Sequence, residues 1–547
     1  MLLLEARHIE KSYGDRVIFR AEKLEVMDGD RIGIVGPNGA GKTTLLKILA
    51  GELPADQGQL SSYGATAFIR QLEQEEGYET TAKERQKWGV ANVHGAMSGG
   101  EHVRLKIATA LEQEAPLLFA DEPTSHLDLP GIRQLEESLH AYPGAVLLIS
   151  HDRELLDAIC TRIWEVENGS VTEYKGNYTE YRSQKEQKRE REWAEYDAYQ
   201  KERHRLTQAI VDKKQHARGM KDAPKRMGSS EAKLHKMKAQ GKRGKVERAA
   251  KTLESRLAQL EEKEKPKELA RVQFDLHQES EHRGRTAIQC TDITVHAGAR
   301  TFVRNLSFRV QRGQRVALIG ANGSGKSTLL SMIAQKVEGI TISPGIRLGY
   351  FHQSQATLDP EKTILENVKK DSRYPEATIR TALARLLFPG DAVHKTVSDL
   401  SGGERVKVAL AKVFFGDYHV LLLDEPTNFL DIPTQEELEL LLADFPGAIL
   451  FATHDRKLMS GLADAVLSFD ELQPSLFPGT YPEFLEAKHK KKTRDSSAEQ
   501  RLLLETKLTD VVGRLSVPTL PAADKEKLEI EYKETLAALQ RCRRHGE

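Results

Sequence analysis

Two kinds of pattern alternate along this chain. Short runs of aliphatic and β-branched residues, such as "RIGIV" at 31–35, "AVLLI" at 145–149, "RVALI" at 315–319 and "VLLL" at 420–423, are flanked by stretches with apolar residues at helical spacing. That alternation predicts an α/β class with a mostly parallel sheet. Midway along the chain the pattern changes. Tyr178 to about Lys214 contains neither Gly nor Pro and reads as one helix, on the order of 55 Å long at about 1.5 Å per residue. A second helix of similar length starts at Ser229, a good N-cap residue, and runs to about Lys263. Val246, Ala250, Leu253, Leu257 and Leu260 recur at spacings of four and three, and Tyr196, Tyr199, Leu206 and Ile210 form a comparable stripe. The two helices are therefore expected to pack antiparallel. Gly241 and Gly244 weaken the second helix, and a bend is expected there.

The runs on either side of this midsection repeat one another. "RIGIVGPNGAGKTTLLKILAG" at 31–51 returns as "RVALIGANGSGKSTLLSMIAQ" at 315–335, and "MSGGEHVRLKIATAL" at 97–111 as "LSGGERVKVALAKVF" at 400–414. "LLFADEPTSHLD" at 117–128 matches "LLLDEPTNFLD" at 421–431, and "GAVLLISHDRELL" at 144–156 matches "GAILFATHDRKLM" at 447–459. Ser98 to Asp121 and Ser401 to Asp424 are both 23 residues; Asp121 to His151 and Asp424 to His454 are both 30. Such a repeat implies two copies of one domain, here 1–177 and 286–487, with a linker at 178–285 carrying the helical hairpin and a helical extension at 488–547.

Composition narrows the class. The 547 residues suffice for two to four domains, and 39% hydrophobic with 30% charged residues suits a soluble chain with exposed charged helices. The longest apolar runs are far below the roughly 18 residues that span a bilayer. Cys160, Cys290 and Cys542 form no CxxC pair, so neither a disulfide framework nor a cysteine zinc site is expected, and a reducing cytoplasm fits. Formal net charge is +0, yet 213–251 holds fourteen Lys or Arg against Asp222, Glu231 and Glu247. The hairpin's far third is thus strongly cationic: either a solvated spacer or an RNA-facing surface. A second basic stretch, "KHKKKTR" at 488–494, precedes two helical stripes, Leu508, Val511, Val512, Leu515 and Leu528, Tyr532, Leu536, Leu539. A helical hairpin packed on the second domain and an RNA-binding element both fit them.

"GPNGAGKT" at 36–43 and "GANGSGKS" at 320–327 each lie between a β run and a helical run, the context of a phosphate-binding loop. Gly36, Gly39, Gly41 and Gly320, Gly323, Gly325 let backbone amides turn towards phosphates, alongside Asn38, Thr44, Asn322 and Thr328. Lys42 and Lys326 supply countercharge, and Thr43 and Ser327 can ligate Mg²⁺. Asp121 and Asp424 end apolar strands and can reach the metal directly or through water. Glu122 and Glu425 follow at once, positioned to polarise an attacking water. His151 and His454 end the next strands, within the repeated "HDR" context, where an imidazole can sense a terminal phosphate.

Together with Gln71, Gln353 and the two SGGE segments, these motifs resemble the ATP-binding cassette superfamily over about two thirds of the chain. The resemblance implies ATP and Mg²⁺ in two composite sites, with Gln71 and Gln353 joining the metal ligands. Ser98, Gly99, Gly100 and Glu101 would face the phosphate loop of Lys326, while Ser401, Gly402, Gly403 and Glu404 would face that of Lys42. Tyr13 matches the family's adenine-stacking aromatic. Its counterpart is Ala297, so the second site's base contact must differ or fall to a neighbour such as His296. His126 in "SHLD" against Phe429 in "NFLD" suggests that the two sites are not equivalent.

Tandem complete cassettes joined by a charged hairpin resemble the ABC-F subfamily of translation factors. That resemblance implies a cytoplasmic monomer whose two ATPase domains pair with each other, no membrane partner, and binding at the E site of the bacterial 70S ribosome. The hairpin would extend towards the P-site tRNA and the 23S rRNA near the peptidyl-transferase centre. The tip residues are then His216, Arg218, Met220, Lys221, Lys225, Arg226 and Met227, with the cations on RNA phosphates and the methionines either as apolar probes of a drug pocket or as hairpin closers. Only 26 residues separate Gln71 from Ser98, against 47 between Gln353 and Ser401, so the first cassette lacks the arm that housekeeping members often insert. The motif wording is similar to the antibiotic-resistance branch, the VmlR, Vga and Lsa group, which implies protection against lincosamide, streptogramin A and pleuromutilin drugs. A housekeeping ABC-F factor and the ATPase subunit of a multicomponent exporter are the competing expectations.

Overall fold

Each repeat opens with two strands of twelve residues whose buried and exposed positions alternate, the signature of a sheet covered on one face. In the first copy these are β1 (Leu2–Tyr13) and β2 (Arg16–Met27), with Leu4, Ala6, Phe19, Ala21, Leu24 and Val26 buried. The computed structural model describes residues 1–70, 80–90, 99–219, 229–265, 285–297, 300–352, 358–469 and 474–488, plus isolated positions beyond. Side chains at 217, 219, 229–240, 297 and 300 are not among those described.

The first module continues through β3 (Arg31–Val35), α1 (Lys42–Leu49), β4 (Gln57–Ser62), β5 (Thr66–Ile69), α2 (Ala82–Lys87) and α3 (Gly99–Glu112). It ends with β6 (Leu117–Asp121), α4 (Leu129–His140), β7 (Ala145–Ile149), α5 (Arg153–Ile159), β8 (Arg162–Glu167) and β9 (Ser170–Lys175). Its nine strands lie in the order β4-β1-β2-β9-β8-β3-β7-β6-β5. β8, β3, β7, β6 and β5 are parallel, and all five residues of β6 and of β7 are buried. The expected mostly parallel sheet therefore holds for the core alone. β1 pairs antiparallel with β2 and β4, and β8 with β9. That layer escapes a motif search because its long, half-polar strands carry no continuous apolar run.

Two long helices follow, α6 (Tyr178–Gly219) and α7 (Ser229–Ala258). α6 continues five residues past the expected end at Lys214, so its 42 residues span roughly 63 Å. α7 stops five short of Lys263 and runs unbroken through Gly241 and Gly244. The pair is antiparallel: Lys214 pairs with Glu254 at 2.6 Å and Glu195 with Lys263 at 3.5 Å. Leu206, Ile210 and Ala250 are buried between them. The root of α6 is fixed in the first module, where Tyr178 and Tyr181 join the hydrophobic core and the Tyr181 hydroxyl donates to Glu165 at 2.5 Å.

The second module repeats the plan with β10 (Thr286–Ala297), β11 (Arg300–Gln311), β12 (Arg315–Ile319), α8 (Lys326–Gln335), β13 (Ile340–Ile342), β14 (Leu348–Phe351), α9 (Ile364–Lys369) and α10 (Glu376–Arg385). α11 (Gly402–Phe415), β15 (Val420–Asp424), α12 (Ile432–Asp444), β16 (Ala448–Ala452), α13 (Arg456–Leu462), β17 (Ala465–Ser468) and β18 (Leu476–Pro478) complete it. Here the antiparallel layer, β11-β10-β13, is separate from the core sheet β14-β15-β16-β12-β17-β18. Among the described residues, no helix is long and apolar enough to cross a membrane. Of the C-terminal stripes, Val511 is buried and Tyr532 and Leu536 are half-buried; Leu508 is half-buried and Val512 exposed.

Candidate nucleotide sites between the two modules

Both phosphate loops fold as their glycines require. Gly36, Gly39 and Gly41 have φ of 149°, 76° and 99°, and Gly320, Gly323 and Gly325 repeat them at 152°, 70° and 102°. At Gly36 space as well as backbone forbids a side chain, because a Cβ would lie 2.2 Å from the Val166 carbonyl oxygen. Each loop feeds the N-terminus of α1 or α8, where free amides and the helix dipole favour an anion. Lys42 Nζ donates to the Gly36 and Pro37 carbonyls at 2.8 and 3.1 Å, and Lys326 Nζ to those of Gly320 and Ala321 at 2.8 and 3.0 Å. Burial pulls the Lys42 ammonium below its usual range, so a polyphosphate would find a cation poorly solvated by water and eager for countercharge.

Behind the loops stand the carboxylates. Ser327 Oγ donates to Asp424 Oδ1 at 2.9 Å, and the Thr43 hydroxyl bonds Asp121. Asp121 Oδ1 is buried without a hydrogen-bond partner. A buried, unsatisfied carboxylate oxygen beside a hydroxyl fits one face of a Mg²⁺ shell whose other ligands are phosphate oxygens and water. No group of three or more His, Cys, Asp or Glu assembles a metal cage among the described residues. Thr44 also lines the first site, a cavity of about 340 Å³ bounded by Tyr13, Ile18, Lys42, Asp121, Glu122 and His151. Thr328 occupies the corresponding turn of α8.

Glu122 and Glu425 sit directly after β6 and β15 in left-handed backbone, φ 50° and 49°. Each amide is held by the neighbouring strand, Glu122 N to Ile149 O and Glu425 N to Ala452 O, both 2.9 Å. The left-handed twist costs about 1–2 kcal/mol and appears identically in both copies, which marks it as built in. Burial pushes both carboxyls up to about 8, partly offset by Lys42 and Lys326. His151 Nε2 is 3.1 Å from Glu122 Oε1 and His454 Nε2 is 3.4 Å from Glu425 Oε1. Burial holds the imidazoles neutral, down to about 3 and about 4. At the second site His454 Nε2 also lies 3.0 Å from Asn322 Oδ1.

The resemblance implies that each phosphate loop faces the other module's SGGE, and the contacts between the modules run in the same sense. Asn38 N donates to Asp431 Oδ2 at 2.7 Å and Asn38 Nδ2 to the Phe429 carbonyl at 3.0 Å. In the mirror position Asn322 N reaches Asp128 Oδ2 at 3.4 Å and Asn322 Nδ2 the His126 carbonyl at 2.7 Å. A Cβ on Gly403 would come within 3.5 Å of Asn38 Nδ2, and one on Gly100 within 3.4 Å of Asn322 Nδ2. Each phosphate loop thus faces the start of the other module's α11 or α3. Ser401 caps α11 through a reciprocal box with Glu404, 2.8 and 3.3 Å; Gly402 follows as its first residue. Gly99, Gly100 and Glu101 form the first turn of α3. His126 and Phe429, both left-handed at 65° and 66°, meet edge to face with ring centroids 6.3 Å apart.

Sequence reasoning missed the residues that hold this interface. Arg104 binds Asp128 at 2.7 Å and Lys407 approaches Asp431 at 3.6 Å. Arg153 pairs with Glu439, while Arg456 reaches Glu136 at 3.2 Å and Glu154 at 2.8 Å. Their signal was present, since Asp128/Asp431 close the repeated "LD" and Arg153/Arg456 the repeated "HDR". Gln71, Ser98, Gln353, Met220, Lys221, Lys225, Arg226 and Met227 lie outside the described residues. His216 and Arg218 are exposed in the last turn of α6. Tyr13 is 55% exposed at the mouth of the first cavity, and His296 is exposed on β10.

A family model described as ABC transporter matches residues 19–92 and 303–428, and a second of the same description matches 164–274. The chain is 33% identical over 525 residues to the ribosome protection protein VmlR of Bacillus subtilis, covering 92% of each. It is 34% identical over 444 residues to the erythromycin resistance ATP-binding protein MsrA of Staphylococcus epidermidis, 80% of this chain and 91% of that one. Among solved structures, an archaeal ribosome recycling factor, crystallised with a ribosomal stalk protein, superposes with a TM-score of 0.60 at 20% identity over 88% of this chain and 92% of that one. That likeness concerns the fold.

Proposed function

This chain belongs to the ABC-F family of ATP-binding cassette ATPases, and from that premise we propose that it is a cytoplasmic, ribosome-associated protection factor. Closed on ATP, it would enter the E site of the bacterial 70S ribosome and direct its hairpin along the P-site tRNA towards the 23S rRNA of the peptidyl-transferase centre. There the tip around 215–228 would dislodge a bound drug of the lincosamide, streptogramin A or pleuromutilin type. Hydrolysis would then free the factor. The observation that carries this reading is the reciprocal docking of the modules, Asn38 on Asp431 and Asn322 on Asp128, beneath a basic hairpin rooted at the same interface. The likeness to VmlR and MsrA supports the branch.

In this reading two nucleotides lie between the modules, one on Lys42 facing Ser401 and one on Lys326 facing Ser98. Thr43, Asp121 and Gln71 would hold the first Mg²⁺ and Ser327, Asp424 and Gln353 the second; the ion offsets phosphate charge as it develops. Lys42 and Lys326 orient the terminal phosphates, and the SGGE amides complete the site only when the modules are closed. Glu122 and Glu425 accept the proton of the attacking water at Oε1 or Oε2, aided by burial that raises their basicity. Neutral His151 and His454 keep each glutamate facing the phosphate. Once the terminal phosphate is cleaved, the contact joining the two modules weakens and they part.

Drug susceptibility in a sensitive host, with cosedimentation of the Glu122→Gln plus Glu425→Gln protein with 70S particles, tests this. Raised inhibitory concentrations and ATP-dependent pelleting are expected. Pelleting with unchanged susceptibility to every peptidyl-transferase drug would instead leave a housekeeping factor, and no pelleting at all would refute ribosome action.

A further inference from the structure

Register decides a question left open by the missing aromatic at Ala297. In the first module the hairpin pairs Tyr13 with Arg16 and Ser12 with Val17; in the second it pairs Ala297 with Arg300 and His296 with Thr301. Ile18 and Phe302 are therefore equivalent positions, as are Phe19 and Val303. Neighbouring residues of a strand point to opposite faces. In the first module Phe19 is fully buried in the core while Ile18 lines the nucleotide cavity beside Tyr13. In the second, Val303 takes the core position, 3% exposed, and the aromatic stands one place earlier in the strand, at the position equivalent to Ile18, where it is half-buried at the edge of the core.

The phosphate-loop glycines give the same placement independently. A Cβ on Gly41 would meet Ile18 Cγ2 at 2.4 Å, and one on Gly325 would meet Phe302 Cβ, Cγ and Cδ2 at 3.0, 3.1 and 3.2 Å. Phe302 thus packs on the N-cap of α8 where Ile18 packs on that of α1. A triphosphate fixed by Lys326 and the α8 amides extends its sugar and base away from the loop. The base is flat and stacks well on an aromatic ring whatever its hydrogen-bonding edge.

We infer that Phe302 is the base-contacting residue of the second nucleotide site, replacing on β11 the aromatic that the first site carries as Tyr13 on β1. The two sites then grip the same nucleotide from different strands, so base and sugar sit against α8 from a different side than against α1. This rests on the two-site reading above. His296, exposed and paired with Thr301 next to Phe302, is then relieved of the role.

Equilibrium binding to full-length Lys42→Ala protein, which leaves the second site as the binder, tests it with two probes, ATP and ribose 5-triphosphate. Phe302→Ile, which installs the first module's residue, is expected to weaken ATP about tenfold, within the range for a base on an aromatic side chain, and to leave ribose 5-triphosphate unchanged. Phe302→Tyr is expected to restore ATP affinity. Photolabelling by 8-azidoATP is expected within 300–311. Unchanged ATP affinity in Phe302→Ile, equal loss for both probes, or a label confined to other segments would overturn the inference while leaving the two-site reading intact. Failure of Lys42→Ala protein to bind any ATP would overturn both.

Discussion

The hairpin's root crosses the module interface, and that crossing predicts how closure and hairpin are coupled. Glu436, on α12 of the second module, accepts from the Tyr178 hydroxyl at 3.3 Å and pairs with Arg182 at 3.0 Å. Both partners lie in the first two turns of α6. Ile432, from the same helix, is buried in the first module's core beside Tyr178 and Tyr181. Opening the modules must separate these groups. In Glu436→Ala the buried Tyr178 hydroxyl loses its acceptor, at a cost of about 1–3 kcal/mol. Arg182, 45% exposed, rehydrates, so its ion pair contributes about 0–1 kcal/mol. Burial already pushes the Glu436 carboxyl up against the pull of Arg182 and Arg153, which places the net loss near the middle, about 2 kcal/mol, or roughly thirtyfold in the closing equilibrium. Glu436→Gln keeps an acceptor for Tyr178 and is expected to cost less than about 1 kcal/mol. Fluorophores on the two modules, read against ATP concentration in the Glu122→Gln plus Glu425→Gln background, measure closure directly. If Glu436→Ala closed at the parent's ATP concentration, or if Gln cost as much as Ala, the Tyr178 bond would not be what couples hairpin to closure.

As the proposed general bases, Glu122 and Glu425 set a pH profile. With carboxyls near 8 they hold protons at neutrality, so kcat/KM for ATP is expected to rise from pH 6 and level off above about 8; a flat profile would exclude them as bases. Stability without nucleotide follows the same protons. The folded chain keeps two glutamate protons that the unfolded chain releases from about 4.5 upwards, so stability falls as pH climbs towards 8; His151 and His454 stay neutral when folded but protonate below 6.5 when unfolded, so stability also falls on acidification from 6.5 to about 3–4. The two effects offset between about 4.5 and 6.5, and denaturant titrations should show a plateau there whose alkaline limb vanishes in the double Gln variant. Asp431→Ala strands Lys407, which is 5% exposed, and removes the Thr434 cap, for an expected loss of about 3–5 kcal/mol in thermal unfolding. Asp128→Ala should cost less because Arg104 is 24% exposed; equal losses would contradict this. Replacing 216–228 by a Gly/Ser segment of equal length should abolish drug protection and leave ATP binding intact, whereas surviving protection would make the tip a spacer.

What the chain determined by itself is everything whose physics is local. Lys42 and Lys326 follow glycines that a phosphate loop needs, Glu122 and Glu425 follow strands that are apolar up to their closing Asp121 and Asp424, and Tyr178 to Lys214 lacks Gly and Pro, so these residues announce their conformations within a few positions. For the loop lysines and the glutamates the repeat then vouches by presenting each twice. The family resemblance implied which loop meets which SGGE; the tertiary structure alone supplied the contacts between the modules, because Asn38 and Asp431 are 393 residues apart and only the docking of two folded modules brings them together. It alone revealed the antiparallel layer, whose half-polar strands are stabilised by partners from β1 to β4 and not by their own composition. It also showed that the core position of Phe19 falls to Val303 in the second module, while the aromatic one place earlier, Phe302, packs beside Gly325. A strand alternates faces at every residue, so its register, which depends on the neighbouring strand, turns the same side chain into packing or into chemistry.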